Sequence, residues 1–244
     1  MDYYLTDSIF IRDNTMFHTK RNKTFKINKN NWHTILQEYG WEKLPLPWIK
    51  QLNLLSSSKN KNSRFGTFDC EHDGNCFFHC IANSLNERDR MINEEYNHTE
   101  IRNKIADSIT NEQFETLMSY YIIFQDANDF DEEWDPSKVK NIDDFKRQLR
   151  ETGHNYWCDY LLLPIIIQAL NLNILIMNND SDTKDYTIYN TLNDYNPKYD
   201  SVILMYEDKC HFKLVGYFDD EKMISYFTNE TIPEELKQLF NLGV

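Results

Sequence analysis

The stretch Asp73-Gly74-Asn75-Cys76-Phe77-Phe78-His79-Cys80-Ile81-Ala82-Asn83-Ser84-Leu85 constrains this chain more than any other. It reads as a tight loop that runs straight into a buried helix. Gly74 supplies the backbone freedom of a turn, and Asp73 and Asn75 are turn and cap residues. From Phe77 the apolar positions recur at helical spacing, with Phe77, Ile81 and Leu85 on one stripe and Phe78 and Ala82 beside it. This places Cys76 at the first turn. A helix N-terminus carries partial positive charge and N–H groups without intrahelical partners. Both favour the thiolate, the reactive form of cysteine. The same N–H groups, with those around Asp73 and Gly74, suit an oxyanion forming on an attacked carbonyl. The competing reading is a buried structural thiol, the commonest fate of a free cysteine.

A thiol nucleophile needs a base. Val202–Tyr206 and Leu214–Phe218 read as two strands joined by a short polar loop, and His211-Phe212 opens the second. A histidine at a strand edge, used with a cysteine at a helix start, is one solution for a thiol protease. Taken alone, such a histidine is as readily an ordinary surface or core residue.

Asp-Gly-Asn-Cys-Phe-Phe at 73–78, ahead of a buried helix, with a late His-Phe opening an apolar strand, resembles the ovarian-tumour (OTU) family of cysteine proteases. Two further stretches fit in order. Ile101-Arg102 with Ile105 and Ile109 resembles the family's helix with Leu-Arg and spaced apolar residues. Trp157, Pro164–Leu170 and Asn173–Ile176 resemble its Trp-Gly, helix, strand segment. The resemblance spans about residues 64 to 218. It implies an α+β fold, a short mixed β-sheet flanked by helices in the papain-type arrangement. It implies a deubiquitinase that hydrolyses isopeptide or peptide bonds after the C-terminal glycine of ubiquitin or a ubiquitin-like protein. On that resemblance Cys76 is the nucleophile and His211 the general base. Asp73 matches the family's aspartate three residues before the nucleophile and shapes the oxyanion loop. Gly74 and Asn75 support that loop, Asn75 through its backbone N–H. Trp157 is a core or cleft-wall aromatic, core being the plainer reading. No cofactor is implied, and a monomer is expected.

The sequence departs from the family at three places. Many members carry Asn or Asp two residues after the histidine. Here Lys213 stands there, and an ammonium accepts no hydrogen bond from an imidazole. Some relatives draw the third residue from elsewhere or manage with a dyad; Asp69, from the strand side, is one candidate replacement and an acid elsewhere in the chain is another. Cys158 follows Trp157 in place of glycine, and Leu162 stands where Glu is common. Lys213 keeps a second reading open: an OTU-fold ubiquitin-binding or structural viral protein without turnover.

Composition sets the remaining bounds. The length of 244 residues suits one large domain or a domain with an appendage. Residues 1–60 read as an N-terminal extension docked on the main domain, 61–220 as the catalytic domain and 221–244 as a C-terminal helical tail. Ser56–Ser63 is the best linker in the chain. Residues 1–30 read as polar, with His18–Lys23 a solvated basic loop. Asn31–Tyr39 reads as a short helix stopped by Gly40, and Pro45 and Pro47 predict an extended segment after it. Trp32, Trp41 and Trp48 are too much apolar surface to leave in water. Thr99-Glu100 is the expected cap of the helix carrying Ile101.

The net charge of −13 argues against nucleic acid as the main partner. It suits either plain solubility or an acidic face for a basic substrate tail, with Asp129, Asp131, Glu132 and Glu133 a possible rim. Five cysteines form no disulfide framework. Cys70, His72, Cys76, His79, Cys80, Cys158, Cys210 and His211 offer zinc-binding atoms, but without a Cys-x-x-Cys pair no metal is expected. No apolar run reaches the roughly 20 residues that span a bilayer, and Met1–Asp13 does not read as a signal peptide. These features predict an intracellular, cytoplasmic protein, in host cytoplasm or virion if viral. The abundance of Asn, Ile and Lys suits an AT-rich genome, as of a parasite or a large virus.

Overall fold

The N-terminal thirty residues are where composition misleads. They form an antiparallel meander of β1 (Tyr3–Tyr4), β2 (Ile9–Arg12), β3 (Thr15–Lys20) and β4 (Lys23–Lys26) rather than a loop. Two-residue turns at Asp13-Asn14 (φ 48° and 61°) and Arg21-Asn22 (φ 49° and 60°) join the last three strands. Turns with both central residues at positive φ match the twist of the flanking strands. Asn tolerates that conformation without the glycine that usually signals it. The basic cluster is therefore a hairpin tip.

The computed structural model describes residues 2–56, 63–89, 95–126, 134–154, 156–189 and 195–242. The linker residues 57–62 and the acidic stretch with Asp129, Asp131, Glu132 and Glu133 lie outside them. The chain divides into two compact units. One is Met1–Cys70 with Leu175–Val244, the other Glu71–Ile174.

In the first unit α1 (Trp32–Ile35) runs on into a 3-10 turn that ends at Gly40, whose φ of 101° only glycine adopts freely. After β5 (Trp41–Lys43) comes α2 (Leu46–Leu55), where the two prolines predict an extended segment. Pro45 ends that extended approach and Pro47 sits in the first helical turn, where its missing N–H has no partner to lose. β6 (Phe65–Asp69) follows.

The second unit carries α3 (Cys76–Asp89), α4 (His98–Ser108), α5 (Asn111–Asp126), α6 (Ile142–Arg150) and α7 (Leu163–Leu170). The chain returns through β7 (Leu172–Asn179), β8 (Ile188–Tyr189), β9 (Asp200–Glu207), β10 (His211–Phe218), β11 (Met223–Ile224), β12 (Tyr226–Phe227) and α8 (Glu234–Phe240).

The main sheet has the order β5-β6-β10-β9-β7-β8, with β11 beside β10 and β12 beside β9. Trp48 and Leu52 of α2 and Leu236 and Phe240 of α8 share one core with Met177, Ile203, Met205 and Val215 of the strands. Burying each such side chain contributes roughly 1.5–3 kcal/mol, so this layer fixes the central strands. The three tryptophans are buried. Trp32 Nε1 donates to the Ser63 carbonyl at 3.3 Å and Trp48 Nε1 to that of Asn178 at 3.1 Å. Trp41 lies on Gly216, where an added Cβ would meet its ring at 2.4 Å.

The helical unit is built on α4, which packs on α3, α6 and α7. Its cap is Asn97 rather than Thr99. The Asn97 side chain accepts the Glu100 N–H at 3.0 Å, and the Glu100 carboxylate accepts the Asn97 N–H at 3.0 Å. Tyr121, Trp134, Phe145 and Tyr156 form an aromatic cluster with ring contacts of 5.0 to 6.2 Å. Helices and sheet together make the fold α+β. Among the described residues no helix is long and apolar enough to cross a membrane.

Candidate active site

Cys76 is the first residue of α3 and is half-buried. The expected stripe holds: Phe77, Phe78, Ile81, Ala82 and Leu85 are all buried. The Asn75 carbonyl accepts the His79 N–H at 2.9 Å and so begins the helix. The loop before it is held by its own side chains. Asp73 Oδ1 accepts the Asn75 N–H at 2.9 Å, and Oδ2 accepts from Asn75 Nδ2 at 2.9 Å and lies 3.2 Å from His79 Nε2. Burial alone would raise the Asp73 carboxyl. The Asn75 side-chain and backbone N–H groups, with His79, hold it far below the usual carboxylate range. The Asn75 backbone N–H is thus turned to Asp73. Gly74, at φ 82°, passes so close to Gly153 that a Cβ would sit 2.5 Å from its backbone.

Arg102 anchors this loop from beneath, and its importance is not evident from its place in a helix of spaced isoleucines. It is fully buried. Its Nε donates to Asn75 Oδ1 at 2.9 Å. One terminal nitrogen donates to the Leu149 carbonyl at 2.9 Å. The other donates to those of Gly74 and Tyr156 at 3.3 and 3.1 Å. The Phe78 ring lies 4.0 Å from the guanidinium carbon. Burial lowers Arg102 to about 10, which leaves it charged at neutral pH. Gly153 completes the cage by donating its N–H to Asn75 Oδ1 at 3.2 Å. The available signal was an arginine between buried Ile101 and Ile105, inside the apolar stripe of its helix.

Trp157 is 38% exposed, its ring 5.7 Å from that of His154. It is not a core residue. The tyrosine just before it, Tyr156, takes the core position. Burial and the neighbouring Asp159 keep the Cys158 thiol protonated. The Asp159 carboxyl accepts the Tyr121 hydroxyl at 2.6 Å and the Leu161 and Leu162 N–H groups at 2.8 and 3.2 Å. Burial nevertheless raises it to about 6.

His211 belongs to the other unit. It opens β10 and is 5% exposed. β10 runs antiparallel between β6 and β9, with Lys213 opposite Asp69 and His211 opposite Glu207. His211 and Asp69 are therefore diagonal neighbours on one face, and Asp69 Oδ1 lies 2.9 Å from His211 Nε2. An ionised carboxylate only accepts, so Nε2 carries the hydrogen and Nδ1 is the basic nitrogen. Lys213 is drawn aside to Glu207, Nζ to Oε2 2.6 Å. Asp73, Gly74, Asn75, Cys76 and Trp157 thus lie in one unit, and His211 with Asp69 in the other.

The chain matches the family described as OTU-like cysteine protease over residues 71–212, more than half its length. It belongs to this family. The matched segment includes both Cys76 and His211. No curated protein matches the chain. Among solved structures it is similar to the OTU of Hazara virus bound to ubiquitin, at 16% identity over 63% of this chain and 82% of that one, with a TM-score of 0.40. The viral OTU domain protease of Dera Ghazi Khan virus is 15% identical over 64% of this chain and 82% of that one, with a TM-score of 0.37. The OTU deubiquitinase of Wolbachia pipientis wMel bound to ubiquitin is 13% identical over 65% and 99%, with a TM-score of 0.41.

Proposed function

We propose that this OTU-family protein is a deubiquitinase that cleaves after the C-terminal glycine of ubiquitin or a ubiquitin-like protein. The observation that carries the reading is Cys76 as the first residue of α3, behind a loop caged by Asp73 and buried Arg102. A thiol in that place is activated by the helix N-terminus. Cys76 attacks the glycine carbonyl carbon and forms a C–S bond. Backbone N–H groups of the loop and first turn, that of Cys76 among them, receive the oxyanion. His211 is the general base that takes the thiol proton. As imidazolium it then protonates the leaving lysine amine. Water hydrolyses the thioester, and the thiol is restored.

Asp73 supports the loop rather than the imidazole, and Asp69 orients His211. Asp69 also favours turnover over a binding-only protein, because it supplies the acceptor that Lys213 lacks. A nucleophilic thiol works only while reduced. We place the activity in the reducing cytoplasm on that ground.

A ubiquitin probe with a thiol-reactive C-terminal warhead tests this. The wild type should couple covalently and Cys76→Ala should not, while both fold alike. Binding without coupling would leave a ubiquitin-binding module, and coupling that survives Cys76→Ala would move the nucleophile elsewhere.

A further inference from the structure

Asp73 has a second neighbourhood that the cysteine chemistry does not use. His79, in the first turn of α3, and His98, the first residue of α4, converge on it. One ligand atom from each of the three residues lies within 4.8 Å of the others. The two imidazole rings are 4.4 Å apart between centroids. His79 Nε2 is 3.2 Å from Asp73 Oδ2 and 3.8 Å from Glu71 Oε2. All three residues are half-buried, so solvent and ions reach them.

Tetrahedral zinc, with bonds of about 2.0–2.1 Å, sets its donor atoms roughly 3.3 Å apart. The Asp73–His79 edge already has that length. The remaining edges need no more than about 1.5 Å of closure, within the swing of the His98 ring.

We propose that Asp73, His79 and His98 form a Zn2+ site, with Glu71 or water in the fourth position, whose occupancy slows the cysteine. Two imidazoles and one carboxylate suit zinc, whereas Mg2+ and Ca2+ prefer all-oxygen sites. No cysteine takes part, which separates this site from the cysteine-based zinc that the sequence spacing argues against. The link to Cys76 is one atom. Asp73 Oδ2, the zinc donor, is also the acceptor for Asn75 Nδ2 at 2.9 Å. Zinc on that oxygen competes with the bond that locks the loop before the nucleophile. The metal site stands on geometry alone; its effect on catalysis rests on the proposed function.

Zinc would also bind a catalytic thiol, so the site is tested in Cys76→Ala. The full chain is titrated with Zn2+ by calorimetry and with Co2+ by visible absorption. Cys76→Ala is compared with the same protein carrying His98→Asn or His79→Asn, with folding checked by circular dichroism. We expect one equivalent of Zn2+ at micromolar affinity, no binding of Mg2+, and about 100-fold weaker binding in either histidine variant. Absence of zinc binding, or binding indifferent to both histidine substitutions, overturns the site. With Cys76 present, His98→Asn should need about 100-fold more Zn2+ for the same inhibition of ubiquitin cleavage. Equal sensitivity would overturn the regulatory coupling. Should the protein cleave no ubiquitin conjugate, the titration in Cys76→Ala still decides the metal site.

Discussion

The neighbourhoods of Cys76 and His211 are held in opposite ways. The cysteine stands at the end of an irregular loop, and irregular backbone has no ladder to fix it. Here Asp73, Asn75, Gly153 and a buried arginine do so through a closed set of hydrogen bonds. The histidine stands on a central strand with paired neighbours on both sides, and register alone brings Asp69 to it. The first arrangement joins the loop to folding, because Asn75 and Arg102 at its centre are buried polar groups that are costly to leave unpaired. The second separates them, because Asp69 is half exposed and the ladder persists without its side chain.

Arg102→Met breaks this contrast most severely. Removing the charged donor leaves three buried oxygens and one part-buried oxygen short of a partner, which costs at least about 3 kcal/mol. Differential scanning calorimetry should show the melting temperature falling by about 10 °C, with ubiquitin cleavage lost as well. An unchanged melting temperature would mean that the loop holds itself. In Asp69→Ala the opposite pattern is expected: kcat/KM falls by about 10²-fold or more while stability is kept, with partial recovery in Asp69→Asn, which retains an acceptor. If Asp69→Ala unfolds the protein, the separation drawn between the two neighbourhoods is wrong.

Asp159 tests the caged unit through pH. Its folded value of about 6 lies above the ordinary 3.8, so the folded protein holds a proton there that the unfolded chain gives up. Its burial therefore costs nothing below about pH 4, and the cost grows to its full size as pH rises to about 6. Relative to the wild type, Asp159→Asn should gain up to about 3 kcal/mol over that interval and no more above it. Urea melts at several pH values would show this, and a flat difference would refute it. The smallest effect belongs to Lys213→Asn. With Asp69 already on the imidazole, activity in a ubiquitin cleavage assay should stay within about threefold, since partly exposed ion pairs contribute little. A large rise would mean that the introduced amide had displaced Asp69 as the orienting group.

Much of this was legible in the order of residues. The cysteine loop and its helix and the helix carrying Ile101 and Ile105 follow from spacing, because each helix buries one face and apolar residues recur with that face, and the strands around His211 show as short apolar runs. Other features escaped for specific reasons. The N-terminal hairpins turn on Asp-Asn and Arg-Asn, which lack glycine. α2 begins at prolines, which usually read as a stop. Trp157 and Tyr156 are adjacent aromatics, and nothing in their order says which faces inward.

The sequence by itself determined the cysteine loop, its helix and the family, because a turn and an amphipathic helix are written in neighbouring residues. Tertiary structure decided the partners, Asp69 among them, which the sequence offered only as a candidate. Asp69 reaches His211 through strand register across 142 positions of chain. Arg102 reaches Asn75 across 27, and His98 comes to His79 because α4 packs on α3. Such pairings depend on which strands and helices lie side by side, and local spacing carries no record of that.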